Sequence, residues 1–148
     1  MTLCALFRRQ QQSRGAIVDT RGIACGHGAF RKQGPQLSQF LQRGLTGVFI
    51  AVDPQDACAC VCALMQRFEG RHIDPRGGLA YGELLTRGGD YYGSIVNLAS
   101  RIGDLAVPRE VLATPALAER CPDYSFEPAG RRQLKGFDDP VSLVSLAL

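Results

Sequence analysis

The sequence predicts an α/β protein in which a mixed β-sheet packs with helices over roughly residues 44–148. Three observations indicate this class. A short apolar run at 48–52 leads into a helix start signal at Asp53, a second amphipathic segment begins at Ser94, and apolar runs separated by turn residues close the chain. Strands that alternate with helices and then follow one another directly are typical of a mixed sheet.

The first strand–helix unit carries the clearest local signals. The run Val48-Phe49-Ile50-Ala51-Val52 is rich in β-branched residues, which predicts a buried strand. Asp53 is a favoured helix N-cap, and Pro54 suits the first helical position. One apolar stripe then follows at helical spacing, formed by Ala57, Val61, Leu64, Met65 and Phe68. We therefore predict a helix over 54–69.

The later elements follow from the same reasoning. We predict a strand at 76–86 with a turn at 87–90, a helix at 94–102, a strand at 110–113, a helical turn at 115–120 and strands at 124–127, 131–134 and 141–146. Residues 1–43 show no helical or strand period, and glutamine and glycine clusters interrupt them. We expect that segment to be irregular and the remainder, residues 44–148, to form the domain.

Composition limits the classes of protein that the chain can be. It has 148 residues, of which 45% are hydrophobic and 21% charged, so one globular domain is expected and a disordered, collagen-like or coiled-coil chain is excluded. No apolar run approaches the ~20 residues of a membrane-spanning helix. The apolar start is too short for a signal peptide, and its charges follow the run. We expect a soluble cytoplasmic protein without a membrane partner.

The net charge of +3 divides unevenly along the chain. Residues 1–49 carry seven Lys or Arg against one acid, Asp19, whereas the rest of the chain is net acidic. A basic arm can bind nucleic acid, but few aromatic residues accompany these charges. A solvated arm is the better interpretation, and we expect no nucleic-acid partner.

Six cysteines raise the alternatives of a metal site or a disulfide framework. Cys58, Cys60 and Cys62 alternate along the predicted helix, where only Cys58 and Cys62 can share a face. No Cys-x-x-Cys pair occurs, and His27 and His72 lie far from any ligand spacing. We interpret the thiols as small buried hydrophobic side chains that stay reduced.

The second predicted helix carries the side chains best suited to binding or catalysis. Asn97 and Arg101 are four residues apart and so share one face, opposite the apolar side. An amide and a guanidinium in this arrangement can hydrogen-bond a sugar oxygen and neutralise a phosphate. The same spacing also fits an ordinary exposed polar face.

Several motifs in this region together resemble the class III nucleotide cyclases, the adenylate and guanylate cyclase catalytic domains. The matching segments are Gly78-Leu79-Ala80-Tyr81-Gly82-Glu83, Gly89-Asp90-Tyr91-Tyr92-Gly93, Val96-Asn97-Leu98-Ala99-Ser100-Arg101, Pro108-Arg109-Glu110-Val111-Leu112, and the stretch from Gly130 to Val141. The resemblance covers about residues 44–148. It implies a ferredoxin-like α/β fold, an α+β sandwich with a mixed sheet and helices on one face, here incomplete at the N-terminus.

The resemblance also implies a role for each matching residue. Asp90 corresponds to the residue that reads the adenine amino group, which implies ATP as the substrate. Asn97 and Arg101 match the pair that orients the ribose and stabilises the transition state, and Lys135 matches the lysine that holds the distal phosphates. The implied reaction is attack of the ribose 3′-oxygen on the α-phosphorus, which gives cyclic AMP and pyrophosphate.

The family's metal site is the main departure. The resemblance implies Mg²⁺ or Mn²⁺ held by two aspartates. The position expected for the second is occupied by Leu45, which cannot bind a hard cation, and no Asp-x-x-Gly-Phe-Thr-like motif stands near the start of the chain for the first. A truncated or frameshifted gene would produce this pattern. That hypothesis fails if the alternative upstream frame contains no such motif.

Three functions remain open from the sequence. The chain can be an adenylate cyclase-type domain that is inactive alone and completes a site in a heterodimer whose partner supplies the aspartates; a homodimer is also possible but would have no metal-binding half. It can be a non-catalytic pseudoenzyme that binds nucleotide or another cyclase domain. It can also be a pseudogene remnant that folds poorly.

Overall fold

The computed structural model describes residues 2–9, 47–51, 53–70, 74–83, 85–87 and 90–148. Its strands are β1 (Thr2–Arg9), β2 (Gly47–Ala51), β3 (Pro75–Gly82), β4 (Leu85–Arg87), β5 (Asp90–Tyr92), β6 (Val111–Ala113), β7 (Phe126–Arg132) and β8 (Val141–Leu146). The described helices are α1 (Pro54–Arg67), α2 (Ser94–Leu105) and the short α3 (Pro115–Ala118). Among them, no helix is both long and apolar enough to cross a membrane.

The strands form a six-stranded mixed sheet in the order β2-β1-β3-β6-β8-β7, with β4 and β5 as a separate hairpin. Strands β3 and β6 are parallel, and the other neighbouring pairs are antiparallel. A parallel pair requires a crossover connection, and α2 lies within the one between β3 and β6. The mixed α/β sheet predicted from the sequence is confirmed.

The start of the chain departs from the expectation. Residues 1–43 were expected to be irregular, but residues 2–9 form β1, which pairs with β2 on one side and β3 on the other. For these residues the expectation is wrong. The short apolar run Leu3-Cys4-Ala5-Leu6-Phe7 is typical of a strand, and it is the sequence signal from which β1 could have been predicted. Residues 10–43 lie outside the described part of the chain.

Helices cover both faces of the sheet, so the expectation of helices on one face is wrong. Successive side chains of a strand point to opposite faces. Leu79 and Val111 pack in one buried cluster with α1 and α3, whereas their neighbours Ala80 and Leu112 pack in another with α2. Apolar residues at consecutive strand positions therefore give the sheet two buried faces, and α2 is the described helix that packs in the second cluster.

Most element boundaries lie within a few residues of those predicted. Helix α1 begins at the predicted proline, and Asp53 Oδ1 accepts a hydrogen bond of 2.9 Å from the Gln55 backbone N–H. Helix α2 continues three residues past its predicted end. The strands expected at 124–127 and 131–134 are a single strand, β7, since the pairing with β8 continues past an irregularity between Pro128 and Gly130.

Candidate functional site

Helix α2 presents Asn97 and Arg101 on the side away from its buried cluster. Ile95, Ala99 and Ile102 are 7%, 0% and 0% exposed and hold the helix on the sheet. Asn97 is exposed and Arg101 partly exposed one turn later. The amphipathic pattern therefore holds the apolar side of α2 against the sheet and leaves an amide and a guanidinium on its exposed side.

The turn into α2 depends on Gly93. Its φ of 138° and ψ of 165° lie in a region of backbone conformation that residues other than glycine rarely adopt. The Gly93 carbonyl accepts hydrogen bonds from the Val96 and Asn97 backbone N–H groups, at 3.2 and 3.5 Å. Because Gly93 is the single residue between β5 and α2, it places Asn97 in the first turn directly after the hairpin.

Asp90 begins strand β5. Its Cα pairs with that of Arg87 across the β4–β5 hairpin, and Tyr92 pairs with Leu85. Asp90 and Asn97 are thus joined through two hairpin residues, one glycine and the first turn of α2. The structure places the hairpin immediately before the helix that carries the other two predicted site residues.

Arg101 makes an ion pair within its own helix. The guanidinium Nη1 lies 3.6 Å from Asp104 Oδ2, and the two side chains are 42% and 27% exposed. The sequence analysis did not consider Asp104. The signal was present, because residues three apart on a helix are neighbours. Asp104 holds Arg101 on the exposed side of α2 and offsets part of its charge.

Lys135 lies in the segment between β7 and β8 and is exposed. Its neighbour Leu134 is 2% exposed and packs in the same buried cluster as Ile95 and Ile102 of α2. The Phe137 backbone N–H donates a 3.1 Å hydrogen bond to the Leu134 carbonyl, and Gly136 between them has a φ of 88°. This turn carries Lys135 on the α2 side of the sheet, although 34 residues separate it from Arg101 in the sequence.

Asn97 and Arg101 therefore share the exposed side of α2, Asp90 lies in the adjoining hairpin, and Lys135 follows Leu134, which packs in the α2 cluster. Leu45, the position expected for the second metal aspartate, lies outside the described residues. In the part of the chain that the structure describes, no three His, Cys, Asp or Glu side chains are grouped so as to hold a metal ion.

Solved structures share this fold. The crystal structure of an adenylate/guanylate cyclase/hydrolase from Silicibacter pomeroyi superposes with a TM-score of 0.64 at 20% sequence identity, over 99% of this chain and 96% of that chain. The fold predicted from the sequence motifs, that of a class III nucleotide cyclase catalytic domain, is confirmed.

Curated relatives agree with the structural class. A pH-sensitive adenylate cyclase of Mycobacterium tuberculosis (strain CDC 1551 / Oshkosh) is 31% identical over 104 residues, which cover 65% of this chain and 26% of that protein. An uncharacterised protein of Mycobacterium tuberculosis (strain H37Rv) is 45% identical over 74 residues, 50% of this chain and 20% of that protein. No protein-family model matches. This chain has the fold of class III cyclase catalytic domains, and the matched segments span about a quarter or less of these relatives.

Proposed function

We propose that this chain contributes the nucleotide-orienting half of an adenylate cyclase site and makes no cyclic AMP alone. The observation that supports the proposal is that Asn97 and Arg101 lie one turn apart on the exposed side of α2, while Leu134, the neighbour of Lys135, packs in the α2 cluster. Asp90, in the hairpin that leads into α2, supports ATP as the nucleotide through its match to the family motif.

Each residue has a chemical role that fits its side chain. The Asn97 amide orients the ribose so that its 3′-oxygen faces the α-phosphorus. The Arg101 guanidinium stabilises the charge that develops on the α-phosphoryl oxygens, since a charged donor strengthens its hydrogen bonds as negative charge increases. Lys135 holds the distal phosphates as a point charge. Phosphoryl transfer depends mostly on such positioning and charge stabilisation.

The family's divalent metal would activate the 3′-oxygen and neutralise the triphosphate. The residues of this chain do not fit that ion. Strand β1, where the first aspartate is expected, reads Thr-Leu-Cys-Ala-Leu-Phe-Arg-Arg and contains no acid, and Leu45 occupies the second position. We therefore assign the metal-binding half to a partner cyclase domain, in a heterodimer that this chain completes.

A mixing assay tests the proposal. The purified chain is combined with a cyclase domain that keeps its metal aspartates but carries substitutions in its own Asn/Arg pair, and cyclic AMP is followed with Mn²⁺ and ATP. We expect product only in the mixture. Arg101→Ala should abolish it, whereas Arg67→Ala, on α1 across the sheet, should retain it as a matched control. Product from this chain alone, lost in Arg101→Ala, would contradict the assignment of the metal-binding half.

A non-catalytic role in nucleotide binding is the second candidate. It is favoured by strand β1, which contains no acid, and by Leu45 at the second aspartate position, because Arg101 and Lys135 need no metal to contact phosphate. ATP binding by the chain, without product in any mixture, would indicate this role. A remnant without a function would instead fail to bind ATP and would lack a cooperative thermal transition.

A further inference from the structure

Two buried thiols meet on the face of the sheet opposite to α2. Cys58 lies in α1 and Cys121 follows α3, 63 residues later, and the Cys58 thiol donates a hydrogen bond of 3.5 Å to the Cys121 sulfur. Both side chains are 0% exposed. We propose that this pair is an oxidation site, at which a small disulfide such as glutathione disulfide converts Cys58 and Cys121 to a disulfide that joins α1 to the segment after α3.

The geometry favours this pair over the neighbouring thiols. The two sulfur atoms are already in contact, so small rotations of the side chains bring them to bonding distance. Cys60 lies two residues further along α1, about 200° around the helix from Cys58. Cys62 shares the face of Cys58 and is partly exposed, which makes it the competitor that an experiment has to distinguish.

The reaction balances with one oxidant molecule. The Cys121 thiol loses a proton, and its thiolate attacks one sulfur of glutathione disulfide, which releases one glutathione and leaves a mixed disulfide on Cys121. The Cys58 thiol then loses its proton and attacks the Cys121 sulfur, which releases the second glutathione. Two protein thiols are oxidised, and one glutathione disulfide is reduced to two glutathione molecules.

Access orders these two steps. Burial raises the pKa of both thiols, which keeps them protonated while the segment stays closed. Cys58 lies within α1, whereas Cys121 lies in a turn after α3. The oxidant therefore reaches Cys121 first, and Cys58 resolves the mixed disulfide.

Access to Cys121 requires opening of a short segment only. Its backbone N–H donates to the Ala118 carbonyl at 3.0 Å, and its carbonyl accepts from the Tyr124 N–H at 3.1 Å. The residues on either side, Arg120 and Pro122, are exposed. A local opening of this turn exposes the Cys121 sulfur without unfolding α1. The proposal is independent of the nucleotide site, because Asn97 and Arg101 lie on the other side of the sheet.

Peptide mapping tests the site. The full chain is incubated with glutathione disulfide under native conditions, remaining thiols are alkylated, and trypsin is added without reductant. We expect a cross-link between residues 44–67 and residues 121–131, which disappears on reduction. Since the first peptide contains three cysteines, the variants identify the one that is cross-linked. The cross-link should be lost in Cys58→Ala and Cys121→Ala and kept in Cys62→Ala.

The closed disulfide should also raise the melting temperature by roughly 5–10 °C over the reduced protein, because it restricts a long loop of the unfolded chain. Circular dichroism shows whether each variant folds. If Cys58→Ala is unfolded, the loss of the cross-link in Cys121→Ala tests the same pair. The proposal is overturned if the native chain gives no such cross-link, if the cross-link survives in a folded Cys58→Ala or Cys121→Ala variant, or if its formation leaves the melting temperature unchanged.

Discussion

The Arg101 guanidinium lies 3.6 Å from the Asp104 carboxylate on the exposed side of α2. A partly exposed pair of this kind contributes about 0–1 kcal/mol, so it is weak enough for a phosphate to displace. Asp104 nevertheless competes for the charge that the proposed site uses. We expect Asp104→Asn to tighten ATP binding by about two- to fivefold at low salt, as measured by isothermal titration calorimetry.

Asp123→Asn is the matched control for this change. It removes the same charge near the N-terminal end of α1, on the opposite side of the sheet, where Asp123 Oδ2 accepts a 2.7 Å hydrogen bond from Gln55 Nε2. This control should leave ATP affinity unchanged, and added salt should reduce the gain from Asp104→Asn. Equal or weaker binding by Asp104→Asn would show that Arg101 does not meet the nucleotide's charge.

Gly78 allows α2 to approach the sheet. A Cβ at this position would overlap the Ala99 carbonyl oxygen and the Gly103 backbone nitrogen. These are backbone atoms of a packed helix and cannot move independently. We expect Gly78→Ala to lower the free energy of unfolding by about 2–3 kcal/mol, measured by urea denaturation.

Gly82→Ala provides the comparison within the same strand. Its Cβ would meet Ile95 Cδ1, the far end of a flexible side chain, at 2.9 Å. Because that side chain can move, the free energy of unfolding should fall by less than about 1 kcal/mol. Similar losses for the two variants would contradict close helix packing at Gly78. A folded Gly78→Ala protein should also show impaired complementation, since α2 carries Asn97 and Arg101.

The sequence predicted those parts of the fold and site that depend on local signals. The N-cap at Asp53, the stripe along α1 and the polar pair Asn97–Arg101 are all encoded within one or two helical turns. The pairing of β1 between β2 and β3 joins segments far apart in the sequence, and no local signal specifies it. Lys135 reaches the side of α2 only because Leu134 packs in that helix's cluster, which spacing along the chain cannot reveal.

Asp53 should stabilise the start of α1 through its capping hydrogen bond. Asp53→Ala removes the carboxylate that accepts from the Gln55 N–H at 2.9 Å and leaves that donor to water. We expect a loss of about 0.5–2 kcal/mol in thermal or urea unfolding. Asp53→Asn should retain most of the stability because its amide oxygen can accept the same bond. Equal losses for both variants would indicate that the negative charge, not the cap, is what stabilises the helix.

Alkaline pH should destabilise the reduced protein through its buried thiols. Burial raises the pKa of Cys58 far above its ordinary value near 9, so above about pH 9 the unfolded thiol loses its proton while the folded one keeps it. The folded state then binds more protons than the unfolded state. The free energy of unfolding therefore falls as pH rises, by up to about 1.4 kcal/mol per pH unit for this group. Thermal melts between pH 8 and 10.5 in reductant should show this decline. Cys58→Ala should make the decline less steep, with Cys121 contributing to the remainder because burial raises its pKa as well, whereas Leu117→Ala, which loses a buried side chain but no thiol, should keep the full slope. Equal slopes for the two variants would exclude Cys58 as a titrating group.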